Sequence, residues 1–110
     1  MKLNKTEENE VFVSFFSDTG IPVFLTSTAY LQGVIKEKIK NPESTLGKAI
    51  EKVAKEHNKT SSAVSRSLDR IVKDGAENMT PKIKKDIFYG KKVSLGRYVA
   101  YAAYQLRNKL

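Results

Sequence analysis

The stretch that decides the fold is TLGKAIEKVAKEHNKTSSAVSRSLDRIVKDG, residues 45–75. Leu46, Ala49, Ile50, Val53 and Ala54 recur at three- and four-residue intervals, so they share one face of a helix beginning near Thr45. His57-Asn58 ends that helix, because asparagine tolerates the left-handed conformation that the turn requires. Thr60 or Ser61 then caps the next helix, with Val64, Leu68, Ile71 and Val72 turned inward and Gly75 placed just beyond its end. Only two or three residues around Asn58-Lys59 separate the two helices, and so short a link forces a steep crossing, the helix-turn-helix arrangement. Ala54 is small where the second helix must pass close, and Val64 fills the angle between them.

The helical period continues on both sides. Val11, Phe12, Phe15 and Phe16 form a first stripe, ended by Asp18-Thr19-Gly20, with Gly20 suited to a left-handed cap and Pro22 blocking continuation. Ile21 to Leu25 reads as extended, the one strand-like piece. A second helix starts at Thr26 or Ser27, carries Tyr30, Leu31, Val34, Ile35 and Ile39 inward, and stops at Asn41-Pro42. Thr80-Pro81 opens a short fifth helix through Ile83, Ile87 and Phe88, broken by Gly90. Ser94 caps the last, with Leu95, Tyr98, Val99, Ala102 and Leu106 as its stripe. The expectation is an all-α, compact six-helix domain over residues 11–110, with helices three and four as a helix-turn-helix. A polar, flexible leader is expected over residues 1–10.

Composition narrows the function. The 110 residues contain no cysteine and one histidine, His57, which removes thiol catalysis, disulfides and Cys- or His-pair metal sites. No apolar run spans a membrane, no secretion signal opens the chain, and a cytoplasmic location is expected. Neither a phosphate-binding glycine loop nor a paired-carboxylate framework is present, so no enzyme, no cofactor and no small-molecule substrate is expected. Charge supplies the positive argument. The formal net charge is +8, and residues 36–110 alone carry eighteen basic and eight acidic groups, a formal +10. Such a segment attracts polyanions, of which nucleic acid is the commonest.

The outward face of the fourth helix has the chemistry of a recognition helix. With Val64, Leu68 and Ile71 inward, Ser62, Ser65, Arg66, Asp69, Arg70 and Lys73 point outward. Short hydroxyl residues, together with Thr60, lie at the N-terminal end, where free amides and the helix dipole favour phosphate. Arg66 can donate two hydrogen bonds to guanine. The competing reading is a solvated face tied by intrahelical pairs, Arg66 with Asp69 and Asp69 with Lys73. Lys59, Lys84, Lys85, Lys91 and Lys92 are candidate flanking phosphate contacts, with Lys82 in the same cluster. Tyr98, Tyr101 and Tyr104, on a helix apolar around much of its circumference, are candidate dimer contacts.

The order and spacing of three blocks resemble the C-terminal effector domain of the sporulation-initiation response regulator, the stage-zero sporulation protein A family. They are Gly20-Ile21-Pro22 with Tyr30-Leu31 and Ile35; Val53-Ala54-Lys55 through Asn58 with Thr60, Ser62, Val64 and Arg66; and Tyr98-Val99-Ala100 with Leu106-Arg107. They span about residues 11 to 107. The resemblance implies a six-helix fold and sequence-specific binding of double-stranded DNA without a cofactor, by a recognition helix at about 60–74 in the major groove. It further implies a base contact for Arg66, a phosphate contact for Arg70, and a homodimer or tandem dimer on DNA. Ser65 stands where the family has an acid, and Asp69 where it has a base. The family's receiver domain has no counterpart in these residues, so either a free-standing effector or one controlled by some other means is expected. The alternative is a protein-interaction module that pairs with a full-length regulator through its last helix.

Overall fold

The computed structural model describes residues 3–23 and 25–110. Among them the chain forms six helices and no strand: α1 (Lys5–Asp18), α2 (Thr26–Lys40), α3 (Leu46–Glu56), α4 (Ser61–Asn78), α5 (Pro81–Phe88) and α6 (Leu95–Leu106). Four of them start where a hydroxyl accepts the amide hydrogen three residues on. Thr45 accepts from Lys48 at 3.1 Å, Thr60 from Ala63 at 3.1 Å, Thr80 from Ile83 at 3.3 Å and Ser94 from Arg97 at 3.3 Å. Each such cap satisfies an amide that the helix itself leaves free.

Three boundaries differ from the sequence expectation. The leader is helical from Lys5: Asn4 accepts from the Glu7 amide at 2.8 Å, and the Glu7 carboxylate accepts from the Asn4 amide at 3.2 Å. This reciprocal capping box holds the first turn without any apolar stripe. At α2 the N-cap is Leu25 and makes no side-chain cap, while Thr26 is already helical. Thr28 supplies the tie instead, donating its hydroxyl to the Pro22 carbonyl. The segment expected to be strand-like has no strand at its described residues, and Phe24 lies outside them; Ile21 is buried in the core.

The third difference concerns Gly75, expected beyond the end of α4 and found inside it, buried, three residues before Asn78. α1 ends in a Schellman motif: the Ile21 amide donates to Phe16 at 2.8 Å and the Gly20 amide to Ser17 at 3.3 Å, with Gly20 at φ 75°. This turn is pressed onto α4. A Cβ on Gly20 would stand 2.6 Å from the Gly75 carbonyl oxygen, and one on Gly75 would collide with Cδ1 of Ile21. Gly75 is therefore a packing glycine, placed where another segment's backbone must approach.

α2 lies at the centre, packed on α3, α4 and α6, and α5 packs on α6. Leu31, Val34 and Ile35 of α2 are fully buried, with Phe12 and Phe16 of α1, Val64 and Leu68 of α4, and Ala102 of α6. The radius of gyration is 13.1 Å, the value of about 13 Å expected for a compact chain of this length. No described helix is long and apolar enough to cross a membrane.

Tyr98 is part of this core. Its hydroxyl meets that of Thr19 at 2.8 Å, and Thr19 also donates toward Phe15. Burial pushes the Tyr98 phenol well above its ordinary value; burial also raises Tyr101, assisted by the charge of Asp86. A phenol whose pKa is raised by folding stabilises the fold below the unfolded-state value of about 10 and loses that contribution as pH climbs past it. Tyr98→Phe should therefore flatten the loss of stability between about pH 10 and 12, read from urea midpoints at each pH, while costing little at neutrality. A variant as alkali-sensitive as the parent would place the loss elsewhere.

Candidate functional site

The link between α3 and α4 repeats the chemistry of the α1 terminus with asparagine in the glycine's place. The Lys59 amide donates to the Ala54 carbonyl at 2.9 Å and the Asn58 amide to Lys55 at 3.2 Å, with Asn58 at φ 55°. This is again the Schellman pattern. Thr60 follows as the N-cap of α4. Ala54 and Val64 are buried where the helices meet, and the adjoining His57 ring stands edge-on to Tyr30 with centroids 4.9 Å apart. A short turn tied in this way sets the direction in which α4 leaves α3.

Above the buried Val64, Leu68, Ile71 and Val72, α4 presents Ser62, Arg66, Asp69, Arg70 and Lys73 as exposed residues. Lys59 and Thr60 are exposed at its start, whereas Ser65 is half-buried on its flank. The intrahelical pairs that would make this a self-neutralised face do not form. The ion pairs among the described residues are Lys36–Glu8 at 2.5 Å and Lys52–Glu37 at 2.8 Å, which tie α2 to α1 and to α3. The hydrogen bond from Lys52, with one from Asn41, holds the Glu37 carboxyl below its usual value. Arg66, Arg70 and Lys73 are thus in no ion pair among the described residues.

The flanking lysines join this face through the surface. Asp69 and Lys73 of α4 share a depression of about 280 Å³ with Lys92 and Ser94. Lys92 also borders a broader one of about 650 Å³ together with Lys84, Lys85, Tyr89 and Lys91. Tyr89 in turn borders a third, of about 290 Å³, with Arg97, Tyr101 and Tyr104. Neighbouring depressions share lining residues, so they adjoin in a row, a shallow trough with Tyr89 standing between its last two parts, from α4 across the α5–α6 corner to α6. Sequence reasoning marks the lysines but misses Tyr89 and Arg97. A bulky residue beside Gly90 at a helix end is the available signal, and Tyr89 caps α5 at φ 53°.

The three tyrosines assigned to dimer contact do not share a surface. Tyr98 is fully buried, a correction that follows from its position on the same stripe as Leu95 and Ala102. Tyr101 is half-buried, and Tyr104 is 63% exposed with the Arg107 guanidinium 4.6 Å from its ring centroid. Only the last two remain available to a partner. No protein-family model matches the chain, and a search of curated proteins returns no significant match.

Proposed function

We propose that this protein binds double-stranded DNA in a sequence-specific manner, as a transcription regulator whose α3–α4 pair acts as a helix-turn-helix. The observation that carries the reading is the outward face of α4, where Arg66, Arg70 and Lys73 are exposed and bound to no carboxylate among the described residues. The Thr60 cap and the tight Asn58 turn support it by fixing the helix on its neighbour. In this reading the N-terminal half of α4 enters the major groove and Arg66 donates to guanine O6 and N7. Ser62 or Ser65 assists near the helix start, and Arg70, Lys73 and Lys59 hold phosphates. The resemblance to the sporulation regulators' effector domain points the same way, and a cytoplasmic location goes with this reading.

The test is fluorescence anisotropy on a duplex bearing the box bound by the resembled family and on a scrambled duplex, across a salt series. Counterion release makes both affinities fall as salt rises. Preference for one sequence, found with that box or by selection from random duplexes, should persist at high salt. Affinities that collapse together on every duplex would overturn the reading and favour the alternative, a module that pairs with another regulator through the exposed part of α6.

A further inference from the structure

We propose that the trough over the α5–α6 corner is a second nucleic-acid site, which takes a single strand: phosphates on its lysines and an unpaired base against its tyrosines. The trough begins beside Lys73 on α4, passes Lys92, and widens between Lys84, Lys85 and Lys91. None of these five lysines is in an ion pair among the described residues. Asp69 lines its near end, and the charge of Asp86 acts on Tyr101 at its far end. The five lysines outnumber these two carboxylates, and they concentrate in the widest part.

Beyond the lysines the trough turns aromatic. Tyr89 is 72% exposed, on the border between the basic bed and the depression that holds Arg97, Tyr101 and Tyr104. Its left-handed backbone is one that bulky residues rarely adopt, and it places the ring beside the trough rather than in the core. A basic groove that leads onto exposed rings is the arrangement that binds a single strand, since every base offers a face to stack on while the sugar-phosphate chain follows the cations. A duplex keeps its bases paired and offers the rings nothing. The site is therefore distinct from the α4 face in what it selects, and it stands even if α4 reads no sequence.

The probe is a labelled oligothymidylate of about 15 nucleotides, within the span that such grooves cover. The full chain should bind it with an affinity that falls with salt. Tyr89→Ala should weaken binding about tenfold or more and leave the duplex affinity at parental level. Arg66→Ala should do the reverse, which separates failure of this site from failure of the α4 reading. Tyr89 is exposed, and thermal melts will confirm that the variants fold. Oligothymidylate binding unchanged in the tyrosine variant would overturn the proposal. So would displacement by polyglutamate as effective as by unlabelled oligothymidylate, which would mark the trough as a seat for acidic polypeptide.

Discussion

Gly20→Ala should lower the free energy of unfolding by about 2–5 kcal/mol, a large part of the 5–15 kcal/mol typical of a whole domain. Two costs combine. The residue sits at φ 75°, where a Cβ costs about 1–2 kcal/mol. The new methyl would also lie 2.6 Å from the Gly75 carbonyl oxygen, a backbone atom of a buried helix that cannot swing aside, and overpacking of this kind costs about 1–3 kcal/mol. Gly75→Ala should cost less. Its obstacle is the terminal methyl of Ile21, and an alanine within a helix regains about 1 kcal/mol of propensity. Ile21→Val removes that methyl and should rescue Gly75→Ala but not Gly20→Ala. Urea midpoints of the parent, the single variants and the two double variants decide the matter: a Gly20→Ala midpoint equal to the parent's, or no rescue by Ile21→Val, would refute the packing described.

The second large effect is expected at Arg66. Arg66→Ala should weaken binding to the preferred duplex by about 1–3 kcal/mol, roughly five- to 150-fold, with little change on scrambled DNA. Arg70→Ala and Lys73→Ala should instead lower affinity for all duplexes alike and reduce the dependence of log affinity on log salt by about one per charge removed. The contrast matters more than either number. An Arg66→Ala protein that loses affinity equally on every sequence has lost a phosphate contact, and the base-reading role would then be withdrawn.

The sequence is most legible where the deciding chemistry is local. Thr45, Thr60, Thr80-Pro81 and Ser94 mark helix starts because a hydroxyl and an amide three residues apart need nothing else, and the caps form there. Asn58 is legible for the same reason. The start of α1 escapes periodicity because residues 5–10 carry no apolar stripe, though Asn4 and Glu7 are spaced as a capping box. Gly75 misleads because glycine just past a helix and glycine packed within one look alike along the chain; only the approach of Ile21, more than fifty residues away, separates them. The tyrosines of α6 are ambiguous for a related cause. Each stands three positions from the next, short of a full turn, so the rings drift from core to rim to solvent. At the site, the cations of α4 can be assigned by periodicity, but their freedom from Asp69 and the continuity of the lysines into a trough depend on tertiary placement.

α4 is a beam of 18 residues, about 27 Å long, and its two ends are held differently. The N-terminal half lies open on its outer side, and the C-terminal half is gripped where Gly75 meets the α1–α2 turn. That grip lies about 13 Å along the axis from Arg66 and, with the buried side chains of Val64, Leu68, Ile71 and Val72, it resists rolling of the helix. A roll of the helix about its axis would carry Arg66, Arg70 and Lys73 sideways together while barely moving their backbone. The aim of the exposed cations thus depends on a joint remote from them as well as on the turn beside them, and a substitution at that joint can detune whatever they touch without altering a single contacting residue.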